Sequence, residues 1–234
     1  SGNNTGLGSA TAKAETASES LAGVVLEHGN ENPAKILQAT RGFAPGDYDV
    51  KAYAPTIKNN FFRRFTGMNV QNVSGAAVNV TVKYVGIGTA TGFPSCVGQT
   101  YQQTKPNLAP GASVTFVHLS SGTLEPNPVP EGCLASATIE ANGNIVAVVN
   151  ESFLSSVVQG GTQQESTTYS ALPANSATAK IAAPVFKQKS YNKITGLSVQ
   201  NVSSSPANVT VKFTGPTGTF TTKAESVPVG GAIT

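Results

Sequence analysis

The amino-acid sequence predicts an all-β protein built from tandem Ig-like or jelly-roll β-sandwich repeats, the second split between the chain's two ends. Three observations lead there. A strand-turn-strand stretch, Thr66 to Tyr84 (TGMNVQNVSGAAVNVTVKY), returns at Thr195 to Phe213 as TGLSVQNVSSSPANVTVKF. Apolar and polar residues alternate through both copies. Eight or so short Val- and Thr-rich runs, broken by turn residues, follow one another along the chain, as in a sandwich or jelly roll.

In the first copy Met68 and Val70 alternate with Asn69 and Gln71. After a turn, Val78, Val80, Val82 and Tyr84 alternate with Asn79, Thr81 and Lys83. A period of two gives a strand one buried and one wet face. The reversal between the strands is SGAA in one copy and SSSP in the other, small residues suited to a tight turn. Leu197, Val199, Ala207, Val209, Val211 and Phe213 keep the inward positions in the second copy. An inward set held constant while the turn varies is what register fixed by burial produces.

The remaining elements follow in order. Residues 1–8 read as a flexible start. Ser9 to Ala14 (SATAKA) matches Ser136 to Ala141 (SATIEA), and Leu21 to Glu27 (LAGVVLE) matches Ile145 to Glu151 (IVAVVNE). The IVAVV core is continuously apolar, as in a strand covered on both sides. Ile36 to Thr40 is a short strand, followed by a turn at Ala44-Pro45-Gly46-Asp47. Val85 to Pro110 is a Gly-, Gln- and Pro-rich excursion; LAPGASVTF, Leu108 to Phe116, is a turn and a strand with Val114 and Phe116 inward. Beyond a Pro-rich loop from Leu119 to Cys133, strands are predicted at 134–141, 144–152 and 166–172.

These matches divide the chain into three. Residues 54–181 hold a complete sandwich, 1–53 the C-terminal half of one and 182–234 the N-terminal half of another. VPVGGAIT at the end aligns with LAPGASVT, so the last copy stops within the strand of Val114 and Phe116. What the front carries is what the end lacks. Half a sandwich leaves open edges that invite pairing, and a heterologous, non-closing contact generates a filament. The predicted assembly strands carry Ala10, Ala12, Val24 and Val25 at the front and Leu197, Val199, Val209 and Val211 at the end. Completion by neighbouring sequence in a longer array is the other solution, and the lack of a basic-then-apolar leader at Ser1 marks a processed or excerpted product.

Composition excludes several classes. Charged residues make up 12% of the 234, against about a quarter in ordinary soluble domains. A net charge of +3 with dispersed Lys and Arg argues against nucleic acid as a partner. No apolar run approaches the roughly 20 residues of a membrane helix. Cys96 and Cys133 sit in Gly/Pro-rich loops and are predicted to form a disulfide, which implies an oxidising compartment.

Chemistry is sparse. His28 and His118 are the only histidines, far short of a zinc ligand set, and no GxSxG elbow accompanies the many serines. GIGTATG (86–92) and VQGGTQQ (158–164) lack the Lys-Ser/Thr ending of a phosphate loop. Asp47 and Asp49 lack the oxygen spacing of a calcium loop. The predicted catalytic set, metal set and cofactor are therefore none. Asn-x-Ser/Thr sequons stand at Asn3, Asn72, Asn79, Asn150, Asn201 and Asn208 and are candidate glycosylation sites, with Asn79 and Asn208 on the wet face. Lys58, Lys83, Lys187 and Lys212 recur at matching positions, a pattern compatible with isopeptide staples but read here as solvated lysines.

The wording GLxVQNVSSxPAxVTVxF, PGxSxTF and GSAxIxAxxxIVAVVNES, carried by Gly196 to Phe213, Pro110 to Phe116 and Leu134 to Ser152, resembles a tandem repeat of large secreted and surface proteins of filamentous and thermophilic bacteria. The resemblance implies an extracellular or cell-surface, structural or adhesive role. The expected function is a structural subunit of an extracellular filament, sheath or stalk, a head-to-tail homopolymer with itself as partner, assembled by completion of the split sandwich. The alternative is an adhesin or carbohydrate-binding surface module with glycans or other surface components as partners.

Overall fold

A computed structural model describes residues 8–16, 20–28, 37–118, 128–153, 166–190, 193–216 and 218–234. The fold is all-β and antiparallel, 55% strand, with no α-helix among the described residues. The first strands, β1 (Val24–His28) and β2 (Leu37–Arg41), pair with each other and, among the described residues, with no other strand.

The centre of the molecule is an eight-stranded sheet: β3 (Asp49–Asn59), β4 (Arg64–Asn72), β5 (Val78–Thr89), β6 (Thr100–Leu108), β7 (Ser113–Val117), β8 (Cys133–Phe153), β9 (Ser166–Ser170) and β10 (Leu172–Pro173). It is organised around β8. The first half of β8, through Ala141, lies between β3 and β5; the second, from Ile145, lies between β4 and β9. Inward residues of both halves enter one apolar cluster: Ala137 and Ile139 beside Val80, Val82 and Tyr84, and Ala147 and Val149 beside Val70, Val114 and Phe116.

The alternation read from the sequence is the alternation of burial. Along β5 every second residue from Val78 to Tyr84 is buried, and along β4 Met68 and Val70 are fully enclosed. One expectation is corrected. Residues 134–141 and 144–152 are one 21-residue strand, not two. Asn142-Gly143-Asn144 looks like a turn, but the glycine serves a close approach: a Cβ on Gly143 would stand 2.7 Å from Val78 Cγ1. Residues 9–14 are a second correction, since they are not a strand although their sequence matches part of β8.

The C-terminal strands are β11 (Gln188–Ser190), β12 (Lys193–Ile194), β13 (Val199–Gln200), β14 (Ala207–Val209), β15 (Lys212–Gly215), β16 (Gly218–Thr221), β17 (Glu225–Val227) and β18 (Ala232–Ile233). They form four two-stranded ladders whose registers copy the central sheet. Val199 faces Ile233 and Gln200 faces Ala232, as Val70 faces Val114 and Gln71 faces Ser113. Phe213 faces Phe220, as Tyr84 faces Tyr101. Among the described residues no counterpart of β8 joins these ladders.

Candidate functional site

The structure places the sequence-predicted residues in three groups. Cys96 and Cys133 are buried and joined by a disulfide, with Cα atoms 6.0 Å apart. The bond ties the loop after β5 to the start of β8.

Two of the sequon asparagines are structural, which corrects their reading as glycosylation sites. Asn72 is fully buried, and its Nδ2 donates to the carbonyls of Ala76 (2.7 Å) and Leu108 (2.9 Å). Its Oδ1 accepts from the Ser74 amide at 2.8 Å and the Ser74 hydroxyl at 2.6 Å. Asn201 repeats each bond, donating to Ser205 and Val227 carbonyls at 2.9 Å and accepting from Ser203. The sequon Ser is there to close the turn, and neither amide nitrogen is free to carry a sugar. Asn79 and Asn208 are exposed, Asn150 is half-buried and donates to Glu27, and Asn3 lies outside the described residues.

The residues expected to mediate assembly are less covered than their matches in the central sheet. Val24 and Val25 are exposed, whereas Leu197, Val199, Val209 and Val211 are half-buried. Each matches a more deeply buried residue of the central sheet. Val149, the counterpart of Val25, is 0% exposed and Val25 is 59% exposed; Ile57, the counterpart of Phe186, is 0% exposed and Phe186 46%. Ala10 and Ala12 are exposed, in the segment that passes the end of β4.

Sequence reasoning missed a joint formed twice. At the first occurrence, the Ser9 hydroxyl donates to the Gly111 carbonyl. Gln71 Nε2 donates to the same carbonyl at 3.3 Å and to Thr11 Oγ1 at 3.5 Å. At the second, the Ser136 hydroxyl donates to the Gly230 carbonyl at 2.6 Å, and Gln200 Nε2 to that carbonyl at 3.1 Å and to Thr138 Oγ1 at 3.4 Å. Ser9 and Thr11 stand in SATAKA where Ser136 and Thr138 stand in SATIEA; Gln71 and Gln200 are the same residue of the two VQNVS copies. Gly111 and Gly230 both adopt the left-handed backbone, φ 74° and 73°, a conformation a side chain disfavours. The signal in the sequence was the outward Gln kept in both copies, but spacing alone does not say what it touches.

Strand β2, like residues 9–11, leans on the central sheet. Gln38 Nε2 donates to the Glu151 and Thr167 carbonyls, both at 3.3 Å, and the Thr40 and Ser170 hydroxyls are 3.1 Å apart. Among the described residues, none of 9–16, 20–28 and 37–41 pairs with the C-terminal ladders.

The central sheet carries three further polar constellations. Glu151 is gripped by Lys58 (2.8 Å) and Arg64 (3.1 Å). Glu140 sits between Lys51 and Lys83, each at 2.7 Å, which hold its carboxyl below the usual range. His118 is buried, with Nδ1 3.1 Å from the Thr66 carbonyl and Nε2 3.0 Å from the Tyr84 hydroxyl. Burial lowers its pKa to about 4 and pushes the Tyr84 phenol up. Among the described residues no three His, Cys, Asp or Glu side chains converge as a metal site, and no helix is long and apolar enough to cross a membrane.

No family model and no curated protein matches the chain. One solved structure, the crystal structure of Thermotoga maritima 1070, aligns with 53% of this chain and 94% of its own at 14% identity, with a TM-score of 0.37.

Proposed function

We propose that the protein is a structural subunit of an extracellular filament or surface stalk, built from β-sandwich repeats stacked head to tail. In this reading β3 to β10 form one repeat, with β8 passing between its two layers. Residues 1–53 and 182–234 are the halves of adjoining repeats.

The observation that carries the proposal is the duplicated joint. The bonds joining residues 9–11 to Gln71 and Gly111 are those joining residues 136–138 to Gln200 and Gly230. The same relative placement thus holds between the first fragment and the central sheet, and between the central sheet and the last fragment. A contact between two different surfaces, applied again and again, does not close on itself and gives a line of units. The buried disulfide supports an oxidising, extracellular setting, and Asn79 and Asn208 are the exposed sequons where glycans fit.

Electron microscopy of the purified protein, with light scattering, tests the reading. Uniform unbranched filaments beaded at the size of one sandwich are expected. A monodisperse monomer at all concentrations overturns it.

A further inference from the structure

Two strand edges outside the central sheet have no neighbour among the described residues. In the central sheet β4 lies between β7 and β8. Its counterpart β13 has β18 on one side and, among the described residues, no strand on the other. The strand matching the second half of β8 is β1, which pairs with β2 on one side, as β8 pairs with β9, and among the described residues with no strand on the other. The two open edges are the two sides of the β4–β8 pairing. Apolar side chains lie along both: Val24, Val25 and Leu26 are exposed on one, and Leu197 and Val199 are only half-buried on the other.

We propose that β1 of one copy of this chain inserts beside β13 of a second copy, in the register of β8 against β4. Met68 faces Val149 and Val70 faces Ala147 in the central sheet, so Leu197 of the second copy faces Val25 of the inserted strand and Val199 faces its Gly23. The charge matches as well. Glu151, buried against Lys58 at 2.8 Å, has Glu27 as its counterpart, and Lys58 has Lys187. The inserted strand therefore brings its carboxylate to Lys187. The match stops at residue 21. Lys13 stands where Glu140 stands in β8 and brings no acid to Lys180 and Lys212, the counterparts of Lys51 and Lys83, so the inference covers 21–27 alone.

This insertion rests on the self-assembling reading above, and the test separates the two. Full-length Leu197→Cys and Val25→Cys proteins are mixed under mild oxidation, beside a mixture of Ser198→Cys and Val25→Cys, with light scattering throughout. The expected result is a disulfide-linked dimer from the first mixture and little from the second. Association without that cross-link, or with the second mixture linking better, overturns the register and leaves the assembly reading standing. Absence of association overturns both. Charge reversal gives an independent readout. Lys187→Glu is expected to weaken association at least tenfold and to be rescued by Glu27→Lys on the other copy; a lack of rescue counts against the insertion.

Discussion

At the scale of single residues, the asparagines and the buried histidine carry the sharpest consequences. Asn72→Ala strips the carbonyls of Ala76 and Leu108 of the Asn72 donor. Ala76 is exposed and its carbonyl keeps the Ser74 hydroxyl, so the cost falls on the buried Leu108 carbonyl; leaving one such group unpaired costs about 1–3 kcal/mol, the loss expected by thermal unfolding. The exposed Asn208→Ala is expected to change stability by under about 0.5 kcal/mol; an equal loss in both variants contradicts the clamp. Intact mass of native material is expected to show Asn72 and Asn201 bare whatever Asn79 and Asn208 carry. His118 gives the pH dependence. Its folded pKa of about 4 lies below the ordinary 6.5, so the unfolded chain takes up a proton first on acidification. Stability is complete above about pH 6.5 and declines as pH falls through 4, by roughly 3 kcal/mol for this group. His118→Gln, measured by denaturant unfolding at pH 7 and pH 4.5, is expected to show a shallower decline; an unchanged slope contradicts the assignment. The inward alternation of Met68 to Tyr84 could be read directly from the sequence. The Asn clamp could not, because Asn-x-Ser is written identically whether its Ser closes a turn or marks a sugar site.

At the scale of elements, legibility tracks how local the cause is. The β4–β5 hairpin follows from alternation and a small-residue turn, both within a few residues. The continuity of β8 depends instead on contact with Val78 and Ser74, distant in sequence, and so Asn142-Gly143-Asn144 passes for a turn. Gly143→Ala places a methyl at 2.7 Å from Val78 Cγ1 and 3.0 Å from Ser74 Oγ. Overpacking of this kind costs about 1–3 kcal/mol, whereas an ordinary exposed turn would absorb the change. The disulfide pins β8 at its other end. It closes a separation of 37 residues, for which chain entropy predicts a contribution of roughly 4 kcal/mol. Reduction is therefore expected to lower the denaturant midpoint of the central sheet; an unchanged midpoint shows that the reduced loop keeps its order. The failure of residues 9–14 to form a strand has the same logic as β8 itself. SATIEA is a strand because β3 and β5 flank it, and SATAKA has no such flanks.

At the scale of the whole molecule, residues 9–11 on one side and the C-terminal ladders on the other are both held to the central sheet by the same set of bonds. Extended chain and isolated ladders bury little, so their placement depends on a few directed bonds instead of a broad apolar interface. The joint around Gln200 supplies them: its Nε2 donates to Ala137, Thr138 and Gly230, while Ser136 donates to Gly230. Net contributions of about 0.5–1.5 kcal/mol per bond put the joint at a few kcal/mol, enough to fix an orientation and small enough to be broken without unfolding the sheet. The paired substitution Ser136→Ala and Gln200→Ala is accordingly expected to leave the main unfolding transition within a few degrees of the parent. Cleavage by a dilute protease in the connecting residues 177–187, mostly exposed, is expected to rise about tenfold or more. In assembled material the same variant is expected to give bent or irregular filaments where the parent gives straight ones. Straight filaments and unchanged cleavage, with the fold intact, would mean that the orientation of successive units is set by some other contact, and the duplicated joint would lose its place as the basis of the assembly.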